Sequence, residues 1–397
     1  MEERKVKKYL ALFFCSIGLL AQSMAAQQQG RGPQQSADPG AAQPARGATQ
    51  QPPRAAQVRS PELHPDRTVT FRVAAPKASD VVLTGEFANG PQKMQKDEQG
   101  VWTLTVGPVD PDLYEYEISI DGVTSIDPRN PLVKYNRAPG VVSSLLDVPA
   151  ASPRFFDSKS VPHGKVDVRF YDSKATQSVR RVRIYTPPNY EKLPGRLPVL
   201  YLLHGGEGDD TVWTEFGRAH AIIDNLIAEK KASPMVVVTP DGYAYGWDSG
   251  VAADKQQADF LKDLKEDLIP FVQANYRVSP NREQRALAGL SRGGAQTLNI
   301  GSKHLDLFSR LGVFSAGGNT NAETSDFTAK NASALNSKLK LFWLGMGTED
   351  PSFANANRFS EFLKANGVKH TYRTIPGAHT WIVWRKFLNE MAPLLWQ

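Results

Sequence analysis

Apolar and polar positions alternate with a period of two residues in several short runs of the first third of the chain. In the longest run, Tyr114, Tyr116 and Ile118 share one side, while Glu115 and Glu117 share the other. Further runs cover residues 69–73, 81–83 and 102–106. Turn signals lie at Asn89-Gly90 and Asp121-Gly122. Because successive side chains of a strand point to opposite faces, the pattern predicts a small antiparallel β-sandwich over residues 59–150.

After residue 157 the pattern changes to apolar strands that alternate with amphipathic helices. Strands are predicted over residues 181–185, 198–203, 235–239, 285–288, 311–314, 340–344 and 370–374. Helical stripes are predicted over residues 219–227, 260–271 and 359–363, the last before a stop signal at Asn366-Gly367. This alternation predicts an α/β fold over residues 151–397, with a mostly parallel sheet covered by helices on both faces.

The first 26 residues have the features of a cleaved signal peptide. A basic stretch at residues 4–8 precedes an apolar run at 9–20 and small residues near 23–26. The run is too short to span a bilayer comfortably, so a retained membrane anchor is the weaker alternative. Residues 27–58 contain almost no large apolar side chains, which predicts a disordered linker. We therefore expect a secreted protein, periplasmic or extracellular, with no membrane span after cleavage.

Cysteine usage and charge exclude several classes of function. Cys15 is the only cysteine and lies in the signal, so the mature chain has no disulfide, thiol nucleophile or thiolate metal site. Of the formal charge of +6, the signal carries +2 and the linker region with Arg59 carries +3. Because about +1 remains for the folded part, nucleic acid is not an expected partner. We expect neither a cofactor nor a metal.

A nucleophile motif lies between a predicted strand and a predicted helix. Its residues are Gly289-Leu290-Ser291-Arg292-Gly293, which fit the pattern G-x-S-x-G. In α/β-hydrolases this serine occupies a strained turn from strand to helix, where flanking side chains would collide with neighbouring elements. The context therefore predicts an α/β-hydrolase domain with Ser291 as its nucleophile.

A serine nucleophile needs a base and a carboxylate that orients the base. His379 follows the last predicted strand, whereas His370 begins that strand, so His379 is the preferred base. Glu349 and Asp350 compete for the acid at the carboxyl end of the strand at 340–344. Asp350 is preferred because the following proline favours an extended conformation.

The oxyanion of the tetrahedral intermediate needs preorganised N–H donors. We expect the backbone amides of Arg292 and Gly206 to supply them, with His204 as structural support of the loop rather than a metal ligand. Four aromatic residues, Trp213, Tyr243, Trp247 and Trp381, are candidate walls for an aromatic acyl group, and each of them is equally suited to core packing. Trp102, in the sandwich, fits core packing better than sugar stacking.

With these residues in view, the chain resembles the feruloyl and acetyl-xylan esterases of carbohydrate esterase family 1, within the broader esterase D group. The resemblance is carried by Leu202-Leu203-His204-Gly205-Gly206, Asp224-Asn225-Leu226-Ile227-Ala228, Pro234-Met235-Val236-Val237-Val238, Gly289-Leu290-Ser291-Arg292-Gly293-Gly294-Ala295-Gln296-Thr297, Gly377-Ala378-His379-Thr380-Trp381 and Trp384-Arg385. It implies a triad of Ser291, Asp350 and His379. The sandwich is similar to the Ig-like (E-set) domain that often precedes such esterases. That domain is related to glycan-binding modules, but many copies serve only in packing or in framing the mouth of the active site, which is the preferred interpretation.

The resemblance implies a substrate ester on plant cell-wall polysaccharide or oligosaccharide, feruloyl first and acetyl next. Glu207 departs from the family pattern, because relatives often carry a small residue there, and an inward carboxylate would disfavour anionic acyl groups. A siderophore esterase, an acyltransferase and an inactive glycan-binding protein stay open as alternatives. The oligomeric state is open as well.

Overall fold

Two antiparallel sheets form the N-terminal part of the fold. The structure, a computed structural model, describes residues 58–135, 142–246, 248–317 and 322–396. In chain order the strands of this part are β1 (Glu62–Leu63), β2 (Val69–Ala74), β3 (Val81–Gly85), β4 (Gln92–Lys93), β5 (Gln95–Lys96), β6 (Val101–Val106), β7 (Leu113–Ile120), β8 (Val123–Ser125), β9 (Val133–Tyr135) and β10 (Val142–Asp147). One sheet has the order β1-β2-β6-β5, and the other has the order β4-β3-β7-β10-β9, with β8 paired to β7.

The two sheets bury the apolar positions of the alternating runs between them. Phe71 of β2 is 0% exposed, and Tyr116 and Ile118 of β7 are at most 1% exposed in the same cluster. Trp102 packs in this cluster too, and its indole N–H donates to the carbonyl of Ala75 at 3.0 Å. The predicted antiparallel sandwich is confirmed, and Trp102 is a core residue. The predicted signal peptide, and all of the predicted linker except residue 58, lie outside the described residues.

A mostly parallel sheet of eight strands forms the second part of the fold. Its strands are β11 (Lys165–Ser173), β12 (Ser178–Thr186), β13 (Val199–Leu203), β14 (Val236–Pro240), β15 (Arg285–Leu290), β16 (Arg310–Phe314), β17 (Leu341–Gly347) and β18 (Thr371–Ile375). Their order is β11-β12-β14-β13-β15-β16-β17-β18. The pairings of β12 with β11 and β14 are antiparallel, and the others are parallel. The predicted fold class is confirmed.

The prediction missed the edge strand β11. This strand alternates like the others, but it pairs only with β12, and its Val168 and Phe170 side chains are 45% and 62% exposed. An edge strand of this kind lacks the continuous buried run that identifies the inner strands of a parallel sheet.

Helices cover both faces of the eight-stranded sheet. They are α1 (Val212–Glu215), α2 (Ala219–Ala228), α3 (Ala253–Asp263), α4 (Ile269–Asn275), α5 (Arg292–Lys303), α6 (Ala322–Lys330), α7 (Ala332–Lys338), α8 (Phe353–Ala365) and α9 (Trp381–Met391). Side chains of α3, α5 and α8 pack on one face, in a cluster with Tyr201, and side chains of α2 and α9 pack on the other, in a cluster with Leu202. None of the helices in the described ranges is long and apolar enough to cross a bilayer.

The helix predicted over residues 260–271 is interrupted. A π-helical turn, Leu264–Leu268, separates α3 from α4, and the N–H of Ile269 donates to the carbonyl of Leu264, five residues earlier. Pro270 lies in the first turn of α4. Because proline has no N–H and its ring collides with the preceding turn, it disfavours a regular α-helix at this point.

Candidate active site

Ser291 occupies a strained turn between β15 and α5. Its φ of 51° and ψ of −118° lie outside the regions that a residue with a side chain normally adopts. The Ser291 N–H donates to the carbonyl of Phe314 on β16 at 2.8 Å, which fixes the turn to the neighbouring strand. Such strain persists only where the surroundings impose it, and it presents the hydroxyl at the carboxyl edge of the sheet.

Two glycines permit this turn. A Cβ atom on Gly289 would lie 2.5 Å from the carbonyl carbon and oxygen of Gly293, and one on Gly293 would lie 2.4 Å from the carbonyl oxygen of His204. Real Cβ atoms do not approach backbone atoms this closely, so neither position accepts a side chain without a shift of the backbone. The spacing of glycines around Ser291 is thus a packing requirement of the turn.

Three predicted site residues come together at this edge of the sheet. His379 lies between β18 and α9, and its Nε2 is 2.9 Å from Ser291 Oγ. Its Nδ1 is 2.7 Å from Oδ2 of Asp350, which follows β17. Because β17 and β18 are adjacent parallel strands, their carboxyl ends bring the acid and the histidine side by side. The three groups form a continuous hydrogen-bonded chain from carboxylate to hydroxyl.

The environment of Asp350 favours its ionised form. Burial alone would raise the pKa of this carboxyl, but hydrogen bonds from His379, the Ser352 N–H and the Ser315 hydroxyl outweigh burial and hold the pKa below its ordinary value. The Ser352 N–H donates to Oδ1 at 2.9 Å. Asp350 is only 4% exposed, so these donors replace the water it has lost.

Trp384, on α9, supports the histidine from behind. Its ring meets the His379 imidazole edge-to-face, with centroids 5.0 Å apart and an interplanar angle of 90°. The indole N–H donates to Ser315 Oγ at 2.9 Å. Ser315 has a φ of 50°, so a second strained serine stands at the end of β16, beside the strand that leads to Ser291.

The residues that competed for these roles lie elsewhere. Glu349 is exposed, whereas its neighbour Asp350 is buried. His370 Nε2 bonds the hydroxyl of Ser360 at 2.8 Å, and its Nδ1 bonds the carbonyl of Val368 at 2.9 Å. Both ring nitrogens of His370 are therefore engaged by α8 and by the loop that leads into β18.

The loop after β13 runs beside Ser291. A Cβ atom on Gly205 would lie 3.5 Å from the Cβ of Ser291, so the backbone of this loop approaches the serine closely. The Tyr243 hydroxyl donates to the carbonyl of Gly206 at 2.6 Å. Tyr243 thereby holds the peptide that follows Gly206, while the Gly206 N–H belongs to the preceding peptide.

His204 supports the same loop from inside the sheet. It is 0% exposed, and its Nε2 accepts the N–H of Gly242 at 2.8 Å. Its other ring nitrogen, Nδ1, must therefore carry the proton and donate to the carbonyl of Gly205 at 2.7 Å. Across the described parts of the chain, no three His, Cys, Asp or Glu side chains are grouped in a way that could hold a metal ion.

The Arg292 side chain lies over Tyr243. Its guanidinium carbon is 3.6 Å from the ring centroid of Tyr243, and Nη1 donates to the carbonyl of Gly242 at 3.1 Å. Burial lowers the pKa of Arg292. Because Arg292 starts α5, its backbone N–H belongs to the unsatisfied donors at a helix N-terminus, where developing negative charge is stabilised.

Of the three candidate aromatic walls within the described residues, only Trp381 lines the cleft above Ser291. Trp213 is 1% exposed, donates to the carbonyl of Leu203 at 2.9 Å and packs against Trp381, so it lies behind the cleft wall. Tyr243 supports the loop at Gly206 and does not line the cleft. Trp247 lies outside the described residues. The acyl-wall prediction for Trp213 and Tyr243 is corrected, because both are structural supports.

The cleft has a volume of about 520 Å³ and is bounded by both parts of the fold. The sheet side provides Ser291, His379 and Glu207. The sandwich side provides polar residues of β7 and β9 and the residue after β3, namely Glu115, Glu117, Lys134 and Glu86. Glu115 and Lys134 form an ion pair of 2.5 Å. The alternation of β7 identified the polar face of the sandwich, and the family resemblance implied that such a domain can frame the active-site mouth, but neither indicated which residues face the catalytic edge.

Glu86 is the most perturbed carboxyl in the cleft. Its Oε2 accepts the N–H of Glu115 at 2.8 Å. Burial, together with the charge of Glu115, raises the pKa of Glu86 to about 7. Burial also raises the pKa of Glu117, and the charges of Glu115 and Glu207 add to this effect. The mouth of the cleft is therefore acidic, with a charge that changes near neutral pH.

Comparisons with known proteins agree with this architecture. Residues 59–130 match the family "Carbohydrate-binding module 48 (Isoamylase N-terminal domain)". The endo-1,4-beta-xylanase/feruloyl esterase of Xylanibacter ruminicola is 32% identical over 348 residues, which are 85% of this chain and 46% of that protein. The endo-1,4-beta-xylanase Y of Acetivibrio thermocellus is 24% identical over 54% of this chain and 22% of that protein. The chain thus spans less than half the length of these two curated relatives.

Two solved structures share the fold. The enterobactin esterase from Shigella flexneri, in the presence of enterobactin, has a TM-score of 0.62 and 20% identity, over 83% of this chain and 93% of that chain. A feruloyl esterase module from Clostridium thermocellum, complexed with sinapinate, has a TM-score of 0.53 and 18% identity, over 62% and 93%. Residues 173–395, more than half of the chain, match the family "Putative esterase". The chain belongs to this esterase family.

Proposed function

We propose that the protein is a serine esterase that hydrolyses carboxylic esters through an acyl-enzyme. The hydrogen bond of 2.9 Å between Ser291 Oγ and His379 Nε2, in a cleft open to substrate, carries this proposal. A serine hydroxyl becomes a useful nucleophile at neutral pH only when a base can take its proton at this distance.

In the first half of the reaction, Ser291 Oγ attacks the ester carbonyl carbon while His379 Nε2 takes the hydroxyl proton. The carbonyl oxygen becomes an oxyanion, which the backbone N–H groups of Arg292 and Gly206 stabilise. His379 then gives the proton to the departing alcohol, and the acyl group stays on Ser291. In the second half, water repeats the attack and releases the acid.

Asp350 acts through His379. Its carboxylate accepts a hydrogen bond from the Nδ1–H at 2.7 Å, which leaves Nε2 unprotonated and able to accept the proton of Ser291. The same carboxylate stabilises the imidazolium that forms when that proton moves. Its lowered pKa keeps it ionised throughout the pH range in which a histidine can act as a base.

For the substrate we propose esters on plant cell-wall polysaccharide, feruloyl first and acetyl-xylan next. The Xylanibacter ruminicola relative supports this choice, because its name joins a xylanase with a feruloyl esterase. A cleft of about 520 Å³ with Trp381 on its wall suits one aromatic acyl group together with part of a sugar.

A trilactone siderophore is the second candidate substrate. The observation in its favour is the extent of the likeness to the enterobactin esterase, which includes both the sandwich and the sheet, whereas the feruloyl esterase module covers 62% of the chain. The two candidates differ in both the acyl part and the alcohol part of the ester, so a comparison of substrates separates them.

We further propose that the protein is secreted after removal of residues 1–26. The basic, apolar and small-residue segments of this stretch support the proposal. N-terminal sequencing of the protein recovered from periplasm and medium is the test, and we expect the mature chain to begin at Gln27. A chain that still begins at Met1 would contradict secretion by cleavage.

The experiment measures hydrolysis of methyl ferulate, acetylated xylan and a trilactone siderophore by the mature protein, with Ser291→Ala beside it. We expect ferulate release to be fastest and to fall by about 10⁴-fold or more in the variant. Acetate release alone would favour deacetylation of xylan, and trilactone cleavage alone would favour the siderophore. Activity that survives in Ser291→Ala would contradict the mechanism.

A further inference from the structure

A buried ion pair joins the sandwich to the helix that follows His379. Arg385 of α9 is 0% exposed, and its Nη2 donates to Oδ1 of Asp112 at 2.9 Å. The same nitrogen donates to the carbonyl of Leu113 at 2.8 Å. Both acceptors belong to the sandwich, at the start of β7. The guanidinium of a helix in the sheet part is thus neutralised by the other part of the fold.

Each of the two hydrophobic cores beside this ion pair contacts a residue from the other part of the fold. Leu113 is 2% exposed and packs in the same cluster as Trp381, Trp384 and Phe387 of α9. In the opposite direction, Ile382 of α9 packs against the core of the sandwich. Apolar contacts of this depth are typical of the interior of one domain rather than of a surface where a separate module docks.

Helix α9 is in turn connected to the catalytic histidine. The N–H groups of Val383 and Trp384 donate to the carbonyl of Thr380, the residue after His379, at 3.1 and 3.2 Å. Trp384 also meets the imidazole edge-to-face at 5.0 Å. Arg385 is the next residue along the helix. A displacement of the first turn of α9 would therefore move both the backbone and the ring that support His379.

The burial of Arg385 makes the connection between the sandwich and α9 sensitive to the loss of its carboxylate partner. Burial lowers the pKa of its guanidinium, and the charge of Asp112 opposes that effect. The ring of Phe156 lies 4.7 Å from the guanidinium carbon, and the carbonyl of Phe216 accepts from Nη1 at 3.3 Å. A buried cation that loses its carboxylate partner must move toward water or draw water in, and either change reaches α9.

We propose that Asp112 and Arg385 are positioning residues for His379, so that the sandwich is a built-in part of the esterase site. The proposal rests on the proposed function, since it assigns a role in that reaction. It departs from the view of the sandwich as a separate carbohydrate-binding module. The consequence is that the hydrolysis of an ester with no sugar depends on a residue of the sandwich.

The test compares Asp112→Asn with Asp110→Asn in the full-length protein. Asp110 is two residues away, and its side chain is 90% exposed in an ion pair with Arg67, so it is a matched control. The substrate is p-nitrophenyl acetate. Titration with diethyl p-nitrophenyl phosphate counts the competent sites, and near-ultraviolet circular dichroism checks the fold. We expect kcat and kcat/KM per titrated site to fall together by about tenfold or more in Asp112→Asn, with KM within about twofold. The control should stay within about twofold of the parent.

The outcomes separate the two proposals. A parent protein that does not hydrolyse the ester would contradict the proposed function itself. A folded Asp112→Asn variant with the parent's kcat would overturn only the positioning role, even if its stability were lower. If Asp112→Asn does not fold, Arg385→Lys provides the same comparison, because it keeps the charge and loses the planar fork whose Nη2 bonds Asp112 and Leu113 and whose Nη1 bonds Phe216. A kcat in folded Arg385→Lys equal to the parent's would overturn the proposal as well.

Discussion

Some side chains around the site position the backbone of its loops rather than contact the substrate. Tyr243 illustrates this, because its hydroxyl donates to the carbonyl of Gly206 at 2.6 Å, while its ring lies under the Arg292 guanidinium at 3.6 Å. The two proposed oxyanion donors are the backbone amides of these same two residues. One phenol therefore contacts both elements that must stay aligned when negative charge develops on the substrate.

Replacement of Tyr243 by phenylalanine should slow the reaction without unfolding the protein. The ring keeps its contact with Arg292, and the hydrogen bond to Gly206 is lost. We expect kcat to fall by about tenfold, less than when an oxyanion donor itself is removed. Tyr245→Phe is the control, since its hydroxyl bonds Asp259 at 2.7 Å. Equal rates for both variants would contradict the role given to Tyr243.

The raised pKa of Glu86 predicts that the stability of the protein depends on pH. The pKa is about 7 in the folded protein against an ordinary 4.5, so the folded state holds an extra proton between these values. Stability from this carboxyl is therefore present below about pH 4.5 and lost as the pH rises through 7. We expect Glu86→Gln to melt about 2–6 °C above the parent at pH 8, with the difference gone at pH 4.5.

Thermal melts at both pH values measure this difference. Glu98→Gln, in an exposed turn of the sandwich, is the control and should follow the parent at each pH. If the melting temperatures of Glu86→Gln and the parent differ by the same amount at both pH values, the added stability does not come from titration of Glu86.

Among the structural elements, the turn between β15 and α5 has little room for change. Gly289→Ala would place a Cβ atom 2.5 Å from the backbone of Gly293 and 2.9 Å from the Cβ of Leu203. We expect a loss of about 3 kcal/mol or more in the free energy of unfolding, since two backbones must separate. Gly195→Ala is the comparison, with open space around it and a φ of +69°, and should lose only about 1 kcal/mol. Urea titrations measure both, and similar losses would contradict the packing argument.

The inner strands and the turn at Ser291 could be predicted because their signals are local. A buried strand next to a glycine-flanked serine leaves a pattern in consecutive residues, and His379 and Asp350 each follow a strand in the same way. The edge strand β11 and the π-helical turn at Leu264–Leu268 were missed. The first has exposed apolar residues, and the second arises from one proline within an otherwise regular stripe.

The residues on the sandwich side of the cleft could not be predicted, for a different reason. Glu86, Glu117 and Lys134 occupy polar positions of alternating strands, a pattern shared by any exposed sheet face. Their place opposite Ser291 depends on how the two parts of the fold pack, through contacts far apart in the sequence. For Trp213 the choice between acyl wall and core packing stayed open on similar grounds, because a large aromatic residue near the site has the same sequence signal whether it faces the cleft or the core.

For the molecule as a whole, the position of Leu113 has a consequence for unfolding. This sandwich residue is 2% exposed within the core of the sheet part, and Ile382 extends from the sheet part toward the sandwich core. Neither core can lose its packing without exposing part of the other, so the two cannot melt independently. Scanning calorimetry of the mature protein should therefore record one transition, with equal calorimetric and van't Hoff enthalpies, and two resolved peaks would contradict this coupling.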